Sequence, residues 1–172
     1  SKPSKDPMKS INPATNQLIQ EYVGHDPKTV EEMINSTHTA WVSWKNTGFA
    51  ERAKLMAKAA DVLQDNKETY ASLITAEMGK LIAEARAEID KCSLVCRFYA
   101  ENAEKMLADE IIETDYSKSF VAFQPLGIVL AVMPWNYPFW QVLRFAAPAL
   151  MAGNAAVLKH ASNVFGSALK IE

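Results

Sequence analysis

The chain has 172 residues, of which 49% are hydrophobic and 22% are charged, and its formal net charge at pH 7 is −2. This length can bury a hydrophobic core, and the composition is that of an ordinary globular protein. Charges of both signs are mixed along the chain, so we predict neither a nucleic-acid partner nor a membrane partner. A start without a signal-peptide pattern and the small cysteine count predict a reducing, cytoplasmic location.

The chain is predicted to begin with a short hairpin that leads into helices. We expect residues 1–9 to be a disordered tail, or residues foreign to the natural protein. Ile11 and the segment 17–23 are predicted to pair across a turn. Asp26 followed by Pro27 is typical of a helix N-cap with proline in the first helical position. Residues 10–109 are therefore interpreted as a β-hairpin followed by helices.

Hydrophobic periodicity predicts three amphipathic helices in the first half of the chain. The first carries an apolar stripe that includes Trp41 and Trp44. One interpretation is that Trp41 and Trp44 bind a cofactor, but core packing is far more common at this spacing. The second helix is predicted from about residue 50 to residue 65, and Gly79 ends the third.

The fourth predicted helix is the longest, and its apolar residues recur in steps of three and four, as in a buried seam. Cys92 and Cys96 lie one turn apart on this seam. A metal site would need two further ligands, and no His, Asp or Glu falls on that face, so we predict no metal. Both cysteines are interpreted as small core residues rather than reactive thiols.

Residues 110–125 are predicted to form a β-hairpin around residues 114–118. A protruding ribbon of this kind would leave a strand edge that needs a partner. A hairpin folded back onto its own domain explains the same pattern, and the residues alone do not separate the two.

Residues 126–172 are predicted to form a βαβ unit. Residues 127–133 are an unbroken apolar run, typical of a parallel strand covered on both faces, and Pro134 ends it. A helix then leads to Gly153, and a second short strand ends in Lys159. Strand, helix and strand over this length make one right-handed crossover.

This geometry places Asn136 and Lys159 at the same rim of the sheet, because ligands of open parallel sheets bind outside the carboxyl ends of the strands. An amide there can donate to a developing oxyanion, and an ammonium can hold a hydroxyl or a phosphate. Taken singly, Asn136 is more often a turn former and Lys159 a solvated strand end. Their order and spacing together favour a functional site.

Two motifs carry a family resemblance: P-L-G-I-V-L-A-V-M-P-W-N-Y-P, beginning at Pro125, and P-A-L-M-A-G-N-A-A-V-L-K-H-A-S, beginning at Pro148. Weaker similarity occurs at I-N-P-A-T, from Ile11, and E-M-G-K, from Glu77. The chain resembles the amino-terminal portion of the NAD(P)-dependent aldehyde dehydrogenase superfamily, and most of all succinate-semialdehyde dehydrogenases. The resemblance implies an incomplete α/β fold: a helical region and a hairpin arm that lead into the first βαβ of a Rossmann-like parallel sheet.

The resemblance also implies cofactor and catalytic roles. Asn136 matches the side-chain oxyanion donor, Trp135 flanks the cofactor, and Lys159 holds the adenosine ribose. NAD-preferring members of the family often carry a glutamate where this chain has Ser162, so NADP is expected to be accepted as well as NAD.

The same resemblance implies that a proline usually follows this lysine, where the chain has His160. The residues give His160 no functional role, and a solvated or packed imidazole is the default interpretation.

Arg144 is the best indicator of the substrate, because it lies on a predicted helix that is otherwise almost entirely apolar, where an arginine needs a partner. Its guanidinium could clamp a carboxylate, and succinate-semialdehyde dehydrogenases carry arginine at the matching place. Tyr137 and Trp140 would line the apolar part of the substrate tunnel in which Arg144 binds that carboxylate. A structural salt bridge from Arg144 to a Glu or Asp is the alternative.

The resemblance implies oxidation of a small-molecule aldehyde through a thiohemiacetal on a cysteine. Cys92 and Cys96 are the only cysteines of the chain, and the glutamate general base also belongs to a later part of the family's sequence. We therefore expect the chain alone to be inactive. The resemblance also places a subunit-bridging arm at residues 110–125 and so implies a homodimer or homotetramer for the complete protein. The alternative is a non-catalytic domain that exists alone or packs on intact subunits.

Overall fold

The computed structural model describes residues 7–172. These residues form six helices and six strands, and the strands pair into three separate two-stranded sheets. The strands are β1 (Met8–Ile11), β2 (Leu18–Tyr22), β3 (Glu110–Ile111), β4 (Phe120–Val121), β5 (Ile128–Val132) and β6 (Ala155–Lys159). The helices are α1 (Pro27–Trp44), α2 (Phe49–Asp65), α3 (Lys67–Met78), α4 (Ile82–Met106), α5 (Trp140–Met151) and α6 (Phe165–Ile171). No helix in this range is long and apolar enough to cross a membrane.

The first hairpin forms as predicted, with β1 and β2 antiparallel. It begins at Met8, which pairs with Tyr22, so residues 8 and 9 belong to a strand and not to a disordered tail. The physical reason is that Ser10, fully buried, anchors the strand through a side-chain hydrogen bond to the buried Glu77. The remainder of the expected tail, residues 1–6, lies outside the described part of the chain.

The core lies between α2, α3, α4 and α5. Its buried side chains include Met56, Ile74, Ile89 and Phe139. As predicted, α4 is the longest helix and buries both cysteines, and Gly79 ends α3 in a left-handed conformation with φ of 76°. That backbone conformation favours glycine because it has no Cβ.

The amphipathic stripe of α1 is buried less than predicted. No residue of α1 is fully buried, and Val30 and Ile34 are exposed. Its cap is as predicted, since the Asp26 carboxylate accepts a hydrogen bond from the Thr29 N–H at 2.7 Å. The two tryptophans are partly buried, and their indole N–H groups donate to the carbonyls of Gly153 and Leu150, each at 3.1 Å. These hydrogen bonds tie α1 to the end of α5.

Residues 110–125 contain the predicted hairpin, reduced to two residue pairs between β3 and β4. Its apolar side chains are exposed, with Ile111 at 68% and Val121 at 46%. Residues 7–172 therefore do not cover the hairpin.

The predicted βαβ unit is present, and β5 and β6 are parallel. Side chains of β5 alternate, so Ala131 is buried while Leu130 and Val132 are exposed. The prediction that this strand is covered on both faces is therefore wrong for the described chain. The reason is that residues 7–172 place no element over the face that carries Leu130 and Val132.

Candidate active site

The candidate site is built on the rim where β5 and β6 end. The two strands run in register, so that Val132 lies opposite Lys159, and the Met133 N–H donates to the Lys159 carbonyl at 3.1 Å. The chain leaves β5 as a loop over residues 133–139 and enters α5 at Trp140. Asn136 lies in this loop. The two strand ends therefore bring Asn136 and Lys159 to one rim, and both residues are exposed.

The other cofactor residues implied by the resemblance also lie at this rim. Trp135 is 50% exposed and lies in the same loop as Asn136. Ser162 is exposed and follows the end of β6 by three residues. An ammonium and a hydroxyl with no carboxylate at position 162 form a donor set that fits a phosphorylated ribose.

Residues of the proposed substrate tunnel lie on the loop and on the first turns of α5. Tyr137 is 46% exposed, whereas Trp140 is partly buried. Arg144 is exposed, and its guanidinium donates to the Gln141 side-chain oxygen at 3.1 Å. No ion pair among residues 7–172 includes Arg144. The described chain thus supplies no carboxylate for the structural salt bridge that was the alternative.

The buried carboxylate of Glu88 forms hydrogen bonds where the loop 133–139 enters α5. The Glu88 side chain is fully buried on α4, and one of its oxygens accepts hydrogen bonds from the Phe139 and Trp140 N–H groups at 2.9 and 3.0 Å. These N–H groups lie at the start of α5, where backbone donors lack partners within the helix. A carboxylate at this end also interacts favourably with the helix dipole.

The second oxygen of Glu88 pairs with the buried ammonium of Lys80. The Lys80 Nζ also lies 3.7 Å from the centre of the Tyr137 ring. Such a cation over an aromatic face is attracted by the ring quadrupole. Glu88 and Lys80 together therefore contact Tyr137, Phe139 and Trp140, which follow Asn136 in the chain.

His160, the residue after β6, also contacts the loop 133–139. Its Nδ1 accepts a hydrogen bond from the Ala161 N–H at 2.8 Å, and its Nε2 lies 2.8 Å from the Pro138 carbonyl. Burial lowers the pKa of His160, although the Pro138 carbonyl opposes that shift. Of the two default interpretations, a solvated or a packed imidazole, these contacts favour the packed one, and the sequence had not indicated the Pro138 contact.

Glu77 is a further buried carboxylate that we did not predict. It accepts hydrogen bonds from the N–H groups of Gly166 and Ser167 and from the hydroxyls of Ser10 and Ser167. It therefore joins β1 to the start of α6, just beyond the rim. Gly166 is required for this approach, because a Cβ there would lie 2.9 Å from a Glu77 oxygen.

The prediction that no Glu falls on the face of α4 that carries Cys92 is wrong, because Glu88 is buried on that face. Glu88 lies three residues after Ala85 and four residues before Cys92, and both of these residues are buried on α4. A charged residue on a buried seam requires a partner. Lys80 lies outside α4, so periodicity could not identify it as that partner.

Neither cysteine has the surroundings of a nucleophile. Both are fully buried. Burial raises the pKa of Cys96 to about 11, and burial also raises the pKa of Cys92. Within residues 7–172, no group of three or more His, Cys, Asp or Glu side chains is placed to hold a metal ion.

Trp41 and Trp44 line an open cleft of about 600 Å³ between α1 and β6. The lining does not include Asn136, Lys159 or any other residue of the rim. The two tryptophans are therefore separate from the candidate site, in agreement with a packing role.

Comparisons with known proteins agree with this architecture. A probable succinate-semialdehyde dehydrogenase [NADP(+)] of Synechocystis is 54% identical over 162 residues, covering 94% of this chain and 36% of the relative. Succinate-semialdehyde dehydrogenase [NADP(+)] 1 of Mycobacterium tuberculosis is 45% identical, covering 92% of this chain and 35% of the relative. The chain thus spans about a third of the length of these relatives.

Solved structures match the fold in the same way. Succinic semialdehyde dehydrogenase from Streptococcus pyogenes, in complex with NADP+, superposes with a TM-score of 0.90 at 32% identity, covering 95% of this chain and 36% of that structure. An aldehyde dehydrogenase from Brucella melitensis biovar abortus gives a TM-score of 0.91 at 30% identity, covering 96% and 35%. The model of the aldehyde dehydrogenase family matches residues 1–172. The chain therefore belongs to the aldehyde dehydrogenase family.

Proposed function

We propose that this chain is the amino-terminal part of an NADP-dependent dehydrogenase that oxidises succinic semialdehyde, or a similar carboxylate-bearing aldehyde, to the acid. The observation that carries the proposal is the in-register pairing of β5 with β6, which sets Asn136 and Lys159 at one exposed rim. The similarity to succinate-semialdehyde dehydrogenases that are named as NADP-dependent supports the choice of substrate and cofactor.

Each residue of the rim has a task in this proposal. The Asn136 amide donates a hydrogen bond to the oxyanion that forms when a thiolate attacks the aldehyde carbon. Lys159 and Ser162 hold the adenosine ribose and its phosphate, and Trp135 flanks the cofactor. NADP, when bound, accepts the hydride that leaves the substrate carbon. The attacking thiolate comes from outside this chain, because Cys92 and Cys96 are buried in the core.

A direct test is an assay of the complete protein with succinic semialdehyde and NADP+, followed by the absorbance of NADPH. We expect turnover by the complete protein and none by this chain alone. Absence of turnover in the complete protein would contradict the proposed function, and turnover by this chain alone would contradict the assignment of both cysteines to the core.

The cofactor preference is tested by Ser162→Glu in the complete enzyme. A carboxylate at position 162 would face the 2′-phosphate of NADP, and a like-charge contact costs a few kcal/mol, where about 1.4 kcal/mol is a factor of ten. We expect KM for NADP to rise by about tenfold or more, while KM for NAD stays the same or falls. Ser162→Gln is the matched neutral control, and an equal rise in that variant would show that size, not charge, is responsible.

Arg144 is proposed to bind the carboxylate at the far end of the substrate. A hydrogen bond to a charged group contributes about 1.5–3 kcal/mol, so Arg144→Leu is expected to raise KM for succinic semialdehyde by roughly 10- to 150-fold. KM for butanal, a neutral aldehyde of similar size, should not change. Arg144→Lys keeps the charge but loses the planar guanidinium, so its KM for succinic semialdehyde should lie between that of the unmodified enzyme and that of Arg144→Leu.

The structural alternative for Arg144 makes a different prediction. If Arg144 forms a salt bridge within the complete protein, Arg144→Leu lowers stability and raises KM for both aldehydes alike. Thermal unfolding of both proteins, recorded beside the two KM values, separates a substrate contact from a structural one.

A second candidate is a non-catalytic domain that packs on intact subunits through residues 110–125. The exposed apolar side chains of β3 and β4 favour it, because such a surface suits a partner. The same surface suits the homodimer or homotetramer that we propose for the complete enzyme. The coding sequence after Glu172 distinguishes the candidates: a continuing frame with cysteine and glutamate motifs supports the enzyme, and a stop codon supports the non-catalytic domain.

A further inference from the structure

The loop that carries Asn136 has few anchors of its own. It leaves β5 at Met133, whose N–H is the last to pair with β6. Two of the next five residues, Pro134 and Pro138, have no N–H to donate. Trp135, Asn136 and Tyr137 are all exposed. Contacts from outside the loop must therefore determine where Asn136 lies.

His160 supplies one of these contacts, and its tautomer follows from its neighbours. The Ala161 N–H can only donate, so Nδ1 of His160 must be the acceptor and carry no proton. In the neutral ring the proton then lies on Nε2, which donates to the Pro138 carbonyl at 2.8 Å. Burial lowers the pKa of His160, in agreement with a neutral ring. The imidazole thus bridges the end of β6 and the loop.

The contact from His160 complements the contact from Glu88. Glu88 binds the N–H groups of Phe139 and Trp140, whereas His160 binds the carbonyl of Pro138. Both contacts fall on consecutive residues, two to four positions after Asn136. Because His160 directly follows Lys159, it links the loop to the strand end that carries the lysine.

We propose that His160 is a positioning residue, which holds the Asn136 loop in register with the end of β6 through its Nε2–H to the Pro138 carbonyl. The inference rests on the proposed function of Asn136 as the oxyanion donor. His160 is two residues from Ser162 but acts on the loop, so its loss should affect kcat more than the binding of NADP.

The test compares His160→Leu with His160→Gln in the complete enzyme. Leucine removes the donor at similar volume, whereas the glutamine amide can place an N–H near the position of Nε2. We expect His160→Leu to lower kcat by about fivefold to tenfold, the effect of one net hydrogen bond. The NADP Kd should rise by a smaller factor, because the loop also carries Trp135 beside the cofactor whereas Lys159 and Ser162 lie outside the loop. His160→Gln should retain most of the kcat of the unmodified enzyme. His25→Leu, at an exposed histidine outside the site, should leave kcat unchanged.

A double-mutant cycle tests whether His160 acts through Asn136. In the Asn136→Ala background, His160→Leu should lower kcat no further, because the donor that it positions is gone. An equal loss in both backgrounds would overturn the proposal and leave His160 with a packing role only.

Hydrogen–deuterium exchange gives a readout that does not require activity. The N–H groups at the two ends of the loop, Met133, Phe139 and Trp140, are hydrogen-bonded. They should exchange faster in His160→Leu than in the unmodified protein, and should return toward the original rate in His160→Gln. Unchanged exchange in His160→Leu would overturn the inference. A complete protein that is inactive but shows faster loop exchange would instead contradict the proposed function and leave the positioning role supported.

Discussion

Replacing Asn136 with alanine in the complete enzyme is expected to lower kcat for succinic semialdehyde on the order of a hundredfold to a thousandfold, the effect of losing one oxyanion donor. The amide contributes mainly in the transition state, where the carbonyl oxygen becomes negative, so KM should change little. Asn136 is exposed in the chain, and its removal leaves no cavity. Steady-state kinetics with NADP+ held at saturation measure the effect.

Two control variants make this result specific. Asn136→Asp keeps the size of the side chain but places a negative charge beside the oxyanion, so it should be at least as impaired as Asn136→Ala. Asn163→Ala removes an exposed amide beyond the end of β6 and should retain activity. A normal kcat in Asn136→Ala would show that the rim does not contain the oxyanion donor.

Replacing Glu88 with alanine is expected to destabilise the chain by about 3–5 kcal/mol, because it leaves the Lys80 ammonium buried without its partner. The Phe139 and Trp140 N–H groups lose their acceptor in the same variant. Urea denaturation followed by tryptophan fluorescence measures the change. Glu101→Ala, at an exposed glutamate on the same helix, should stay within about 0.5 kcal/mol of the unmodified chain.

The two partners of this ion pair should not be equivalent. Lys80→Met leaves the Glu88 carboxylate with two backbone donors, so this variant should be less destabilised than Glu88→Ala. Equal losses would mean that the backbone hydrogen bonds to Glu88 contribute little. The difference between the two variants thus measures how much Glu88 contributes by capping α5.

Local patterns in the sequence predicted most elements of the fold. The Asp26-Pro27 pair predicted the start of α1, and Gly79 predicted the end of α3. Steps of three and four along α4 predicted that Cys92 and Cys96 would be buried. These predictions succeed because capping, left-handed glycine and helical periodicity act between residues that are close in the chain.

Burial was predicted less well where it depends on distant parts of the chain. Leu130 and Val132 were predicted to be buried, but they are exposed, because residues 7–172 do not cover their face of β5. Val30 on α1 is exposed in the same way. Hydrophobic periodicity identifies the face that suits burial, but it does not identify what covers that face.

The sequence by itself determined the family, the parallel βαβ unit and the placing of Asn136 and Lys159 at one rim, because strand ends in a parallel sheet have a fixed direction. Only the tertiary structure decided what holds that rim. Glu88 contacts the loop from α4, Lys80 from the α3–α4 connection, and His160 from the residue that follows β6. Their partners are distant in sequence, and a buried charge or imidazole is satisfied by whichever groups the packed chain brings within hydrogen-bond reach.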